Sequence, residues 1–434
     1  MTVTVRPPAH SSSAKPANQL ANFVKGDGGG VLQLSMRRIH DLVAFCLPYE
    51  FEDVVAEVTG ADRIEPVDFS VLELSRRVYK LTRLASGSQR LARAMVPWLD
   101  GSRITRAIPR LSAPKLTREY ELFFPVFNHP YELFALFAVP DWRKHCRLAA
   151  CFISEIWIHE MPDYLLELLA EFDHLFLGVN HPTAATGRIV GRPCTYLPLA
   201  VDVLRFTPYP NPPPRSIDVC NIGRRSPVTH AALLRLARER RIFYYYDTVQ
   251  TSGEGGKQMT FRVGNASEHR LLLANVLQRS RYYVAYRGRV NEPETTQGKE
   301  EISARFYEGV AAGAVLLGEP PRSDEFLRQF DWPDAVLPMP FDSPDAGEIL
   351  SRIDAEPQRI ERIRRNNVHY AALRHDWVHR LRIVYQTLGI EPTEAMLARE
   401  ERLRSVAALA IQSQGDGGLI GHGFQPPSNG RGRS

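Results

Sequence analysis

The chain has 434 residues, 44% of them hydrophobic and 24% charged, with a formal net charge of +5 at pH 7. Such a length exceeds one small module, the composition is that of a globular protein, and no apolar run approaches the ~20 residues of a membrane-spanning helix. The cations are lopsided: Lys15, Lys25, Lys80, Lys115, Lys144, Lys257 and Lys299 are the only lysines, so arginine supplies 47 of the 54. That excess fits either codon usage in a genome rich in G and C or guanidinium forks for phosphate. Cys46, Cys146, Cys151, Cys194 and Cys220 make an odd count without a C-x-x-C pair, which argues against a disulfide framework. The N-terminus carries prolines and serines in place of a basic, then apolar, leader, and the expected compartment is a reducing cytoplasm.

Residues 1–35, rich in Pro, Ser and Gly, read as disordered, as does the tail from Gly415. Between them short apolar runs alternate with amphipathic segments, the rhythm of an α/β protein with parallel sheets. A strand is expected over Asp41 to Tyr49, a helix over Phe51 to Val58, and a broken helical region around Val71 to Val96. A dense series follows: strand Glu121 to Asn128, helix Tyr131 to Val139, strand Cys146 to Ile153, helix Asp163 to Phe172, strand His174 to Val179, a short helix after Pro182, strand Cys194 to Leu199. Leu148 to Ile153 is apolar on both pleat faces, as a central parallel strand covered by helices must be.

The proline-rich stretch Arg205 to Pro214 reads as an interdomain linker. The alternation restarts after it, with strands at Ile217 to Ile222, Ile242 to Tyr246, Tyr282 to Tyr286, Ala314 to Gly318 and Ala335 to Pro338. Helices are expected at Val228 to Arg240, Glu268 to Leu277, Ile302 to Ala312 and Asp324 to Phe330, then from Ala346 to Leu388 and from Glu394 to Ile411. The expected fold is α/β: two Rossmann-like domains facing across a cleft, with a C-terminal helical extension. The boundaries are 1–35 disordered, 36–207 first domain, 208–390 second domain, and 391–434 helix and disordered tail.

Several familiar signals fail. Gly253 to Gln258 lacks the first glycine and the Ser or Thr of a phosphate-binding loop, no G-x-G-x-x-G follows a strand, and His159-Glu160 lacks the second histidine of a zinc-protease helix. No metal site has ligand-quality spacing. What remains lies mostly in the second half. The strand Ile217 to Ile222 ends in Gly223, Arg224 and Arg225 just before a helix starting at Pro227. A glycine turn, helix N–H groups and arginine forks together suit a diphosphate. Glu300 and Glu308 are eight residues apart, one in the loop entering a helix and the other about two turns on. Carboxylates so placed can accept hydrogen bonds from two parts of one polyhydroxyl ligand.

These pieces, in this order, resemble retaining glycosyltransferases of the two-Rossmann GT-B fold, in particular the family-4-like group and the spore-maturation-protein-like glycosyltransferases. Tyr196 to Pro208 is similar to their P-x-G-V-D-x-x-x-F-x-P signature, with Ala200 in place of the usual glycine. Gly223-Arg224 resembles their G-R turn, and Glu300 to Glu308 reproduces their E-x7-E spacing ahead of Ala311 to Val315. The resemblance implies that Arg224 or Arg225 neutralises the donor diphosphate, that Glu308 holds the ribose, and that Glu300 touches the donor sugar. Arg305 and Gly309 fall in the same donor-binding segment. It also implies a nucleotide-sugar donor, retention, and no cofactor or bound metal. The lysine that often follows the G-R turn is absent, Val228, Thr229 and His230 standing there. Glu155, His159 and His129, at or just beyond strand ends of the first domain, are the remaining catalytic candidates. The acceptor is not legible. Two other readings stay open: a non-catalytic arginine-rich protein binding nucleic acid or an anionic surface through Arg235 to Arg241 and Arg359 to Arg365, and a nucleotide-sugar epimerase-like enzyme.

Overall fold

The computed structural model describes residues 21–67, 115–139, 141–156, 161, 163–247, 250–252, 257–259, 262–291 and 296–412. The expected broken helix at Val71 to Val96, His159, most of the Gly253 to Gln258 loop and the tail from Gly415 lie outside the described residues.

Eight strands form the first sheet: β1 (Ala21–Val24), β2 (Val31–Leu34), β3 (Asp62–Pro66), β4 (Tyr120–Phe123), β5 (Val126–Phe127), β6 (Cys146–Ile153), β7 (His174–Leu177) and β8 (Cys194–Tyr196). Their order is β1-β3-β2-β4-β6-β7-β8, with β5 paired to β6. Every pairing is parallel except β1 with β3. The second sheet has β10 (Tyr244–Tyr246), β9 (Ile217–Asn221), β13 (Ser280–Tyr286), β14 (Val315–Glu319) and β15 (Leu337–Pro338) side by side and all parallel. A small hairpin, β11 (Gln250–Ser252) with β12 (Lys257–Met259), stands apart.

Two expectations need correction. Within residues 21–35, expected to be disordered, Ala21–Val24 and Val31–Leu34 are strands of the first sheet, and all four residues of β2 are buried between β3 and β4. The glycine-rich flank hid this, because pairing with distant strands supplies the burial that local composition lacks. Nor is Asp41 to Tyr49 a strand. Its second half opens helix α1 (Cys46–Thr59), whose buried Leu47, Phe51, Val54, Val55 and Val58 recur at helical spacing. Farther on, the segment expected as an α-helix at Tyr131 to Val139 is a 3-10 helix, Pro130–Ala138.

The second domain carries α2 (Pro227–Arg238), α3 (Ala266–Gln278) and α4 (Ala304–Ala311). Helices α5 (Pro357–Arg374), α6 (Trp377–Leu388) and α7 (Glu394–Gln412) follow. Helices α6 and α7 cross back onto α1 of the first domain, and α7 lies along α5. Trp377 enters the first domain at this crossing, stacked on Phe51 with ring centroids 4.4 Å apart. One apolar cluster thus runs from Phe124 and Phe152 through Trp377 to Phe206, Phe306 and Tyr307, across both domains. Buried Arg399 of α7 joins Asp376 and Asp202, with Nη2 2.9 Å from Asp376 and 2.5 Å from Asp202. The Glu394–Gln412 segment is therefore part of the folded body.

Candidate functional site

In parallel sheets, ligand sites form beyond the carboxyl ends of the strands. Here the two carboxyl edges meet. After β6, Oε1 of Glu155 accepts from Nε of Arg289, beyond β13, at 2.6 Å. After β7, the backbone N–H groups of Asn180 and His181 donate to Glu301 at 3.1 and 3.2 Å, and Nδ1 of His181 lies 2.6 Å from the same carboxylate. Both pairs span the cleft between the domains.

The wall of the second domain is built on the turn after β9. Gly223 has φ of +78°, a conformation in which a side chain clashes with its own backbone. A Cβ there would also stand 2.6 Å from Nη2 of Arg305. The glycine therefore does two things: it turns the chain, and it leaves room for the guanidinium of α4. Arg305 is anchored through Nε to the Ile222 carbonyl at 3.0 Å, and no salt bridge engages it among the described residues. Arg225 is occupied differently, by Asp247 at 2.5 Å and with its face on the Tyr246 ring. Asp247 also accepts from the Gly223 N–H at 3.0 Å, bracing the turn. Arg224 reaches Oδ1 of Asn291 at 3.2 Å. Behind the turn, Ser226 caps α2 through the N–H groups of Val228 and Thr229. His230 stands where the lysine is usual, and burial together with Arg225 holds its pKa below the ordinary range.

Glu300 lies ahead of α4, accepting from the Arg322 N–H at 2.6 Å and facing Nε of Arg287 at 3.3 Å. Glu308 is just over one turn into the helix and buried, 5% exposed. Its Oε1 meets Nη1 of Arg270 at 2.5 Å, and Oε2 has the Tyr283 hydroxyl at 3.4 Å. Gly309 is a packing position: a Cβ there would sit 2.3 Å from Leu316 and 2.8 Å from Tyr283, so its absence lets α4 lie on β13 and β14. On the first domain, His129 caps the 3-10 helix, with Nδ1 accepting from the Tyr131 N–H at 3.4 Å and its ring stacked on Tyr131.

The structure thus gathers Gly223, Arg224, Arg225 and Arg305 at one turn and sets Glu155 across the cleft from Arg289. It puts Glu308 deeper than Glu300. The sequence reading missed Arg270, Asp247, Glu301 and Arg289. Arg270 had a visible signal: it shares a helical stripe with buried Leu273, Ala274 and Leu277, where a charge is out of place. Of the two arginine runs offered as a binding surface, Arg359 to Arg365 is largely neutralised: Arg359 and Arg362 pair with Asp334, and Arg365 with Glu361. Among the described residues no helix is long and apolar enough to cross a membrane.

Residues 215–386, most of the second domain, match the family model described as glycosyl transferase-like. No curated protein matches the chain by sequence. Among solved structures, Anabaena HepE in complex with UDP and glucose is similar at 12% identity and a TM-score of 0.44, covering 83% of this chain and 99% of that one. The UDP-glucose complex of HepE is similar at 10% identity and a TM-score of 0.41, with the same coverage. TarM follows at 8% identity and a TM-score of 0.37, covering 62% of this chain and 54% of its own.

Proposed function

We propose that the protein transfers a sugar from a nucleotide-sugar, held by the second domain, to an acceptor seated on the first. The observation that carries this reading is the turn at Gly223, where Arg305 fills the space a side chain would take and Arg224 and Arg225 stand beside it. As the bond from the anomeric carbon to the diphosphate breaks, negative charge grows on the leaving phosphate oxygen. Guanidinium groups and the N-terminus of α2 are preorganised to meet that charge, which lowers the barrier without a bound metal. Glu308 is suited to the ribose hydroxyls and Glu300 to the donor sugar. Glu155, His129 and His159 remain the acceptor-side candidates. Retention rests on the family resemblance. The five cysteines, none bonded to another, support a cytoplasmic setting.

The test is calorimetric binding of uridine, guanosine, adenosine, cytidine and thymidine diphosphates to the wild type and to Glu308→Gln. At least one diphosphate should bind, and the variant should lose roughly 10- to 100-fold, the worth of a hydrogen bond to a charged group. Absence of binding by every nucleotide would remove the reading. Sugar transfer itself is then followed with labelled donors, a product still bearing the nucleotide pointing to an epimerase instead.

A further inference from the structure

Arg270 is 3% exposed, and its three nitrogens are committed to carboxylates from two domains. Nε meets Oε2 of Glu50 in α1 at 2.7 Å, Nη2 meets Oε1 of Glu50 at 3.3 Å, and Nη1 meets Oε1 of Glu308 at 2.5 Å. The guanidinium plane rests on Phe206, 4.8 Å from the ring centroid. Packing alone does not explain an arginine here, since the neighbouring stripe positions of α3 are Leu273, Ala274 and Leu277. Glu50 in turn cannot move freely: it accepts from the Asp202 N–H at 2.7 Å and from Nε1 of Trp377 at 3.2 Å. A fixed Glu50 fixes Arg270, and a fixed Arg270 fixes one oxygen of Glu308. The other oxygen, Oε2, has among the described residues the long contact to the Tyr283 hydroxyl, at 3.4 Å. A cavity of about 250 Å³ lies toward the N-terminal ends of α1 and α3, lined in part by Cys46, Tyr49, Asn265 and Ala266, about one helical turn before Glu50 on α1 and before Arg270 on α3.

We propose that Arg270 is the positioning residue of the donor ribose: it presents the Glu308 carboxylate to the ribose hydroxyls and thereby sets the preference for ribo- over 2′-deoxyribonucleotides. Through Glu50, that preference is tied to the seating of the first domain on the second. The proposal rests on the glycosyltransferase reading above. A planar guanidinium bonded on two sides holds a carboxylate in one orientation, whereas an alkyl chain of the same length lets it rotate.

The experiment compares uridine, guanosine and adenosine diphosphates with their 2′-deoxy counterparts by calorimetry, on the full chain. The wild type should prefer the ribose form by tenfold or more. Arg270→Met should bring the two forms within about twofold of each other, and Arg270→Lys should restore part of the preference. Because Arg270→Met leaves two buried carboxylates without their cation, the double variant Glu50→Gln/Arg270→Gln, which removes charge from both sides, is measured beside it and should show the same collapse. Variants that fold and lose affinity equally for both forms, keeping the wild-type ratio, would show a merely structural Arg270 and overturn the proposal. A wild type that binds ribose diphosphates without preferring them would overturn it too, while sparing the transferase reading. A wild type that binds none of the six overturns the ribose proposal, and one that also binds neither cytidine nor thymidine diphosphate removes the transferase reading as well.

Discussion

Gly223→Ala isolates the turn on which the donor reading depends. With φ at +78°, an L side chain costs roughly 1–2 kcal/mol in this region of backbone space. The new Cβ would also stand 2.6 Å from Nη2 of Arg305, about 1 Å inside the optimal separation of non-bonded atoms. The guanidinium must therefore swing away and give up its 3.0 Å bond to the Ile222 carbonyl. If Arg305 supplies one charge-assisted hydrogen bond to a diphosphate, its displacement is worth roughly 1.5–3 kcal/mol. At about 1.4 kcal/mol per decade, that is a 10- to 100-fold loss of affinity for the nucleoside diphosphate. The matching nucleoside, lacking phosphate, should change by less than about twofold, because its contacts do not pass through Arg305. Calorimetry with both ligands measures the difference, and a thermal melt without ligand measures the backbone cost separately. A lowered melting temperature with unchanged diphosphate affinity would refute the role given to Arg305. Equal losses for nucleoside and diphosphate would show general damage to the site.

Two further outcomes concern buried charges, one inside the first domain and one where α7 meets it. Burial pushes the Glu52 carboxyl up to about 7, against the pull of Arg37 and the Ser35 hydroxyl. Its unfolded value lies near ~4.3, so the folded chain binds this proton more tightly, and the associated stability is complete below about pH 4 and lost as pH rises through about 7. Glu52→Gln should flatten the fall in urea-unfolding stability between about pH 5 and 8 by on the order of 2–3 kcal/mol, and a slope equal to the wild type would contradict this. Asp376→Ala leaves Arg399 without its fully buried partner, keeping only Asp202 and the half-exposed Glu57, and loss of one partner from a buried pair costs roughly 3–5 kcal/mol. Thermal denaturation should show that drop, while a loss below about 1 kcal/mol would mean that α7 is held by packing and not by its arginine.

The α/β class and the restart of the pattern after the proline-rich linker were legible because apolar periodicity is a local property. A run such as Leu148 to Ile153 declares a central parallel strand whatever lies around it, and Gly223 ahead of Pro227 marks a turn between a strand and a helix. The E-x7-E spacing was equally local, and the loop-then-helix placement it predicted is the one found, with Glu300 ahead of α4 and Glu308 inside it. Strand β2 was not legible. Its four residues become a buried strand only because β3 and β4, distant in sequence, flank it on both sides.

What the order of residues determined by itself, then, was the helix or strand character of most segments after Glu121 and which side chains sit at their ends. What only the tertiary structure decided was the partner of each charge. Three arginines lie within reach of one turn, yet Asp247 takes Arg225, Asn291 meets Arg224, and Arg305 is left against the glycine. Glu308 looked like an open carboxylate and is bonded to Arg270, which Glu50 holds from the other domain 220 residues away in sequence. Ion pairs act over a few ångströms of space and not along the chain, so neither pairing leaves a mark on the local pattern.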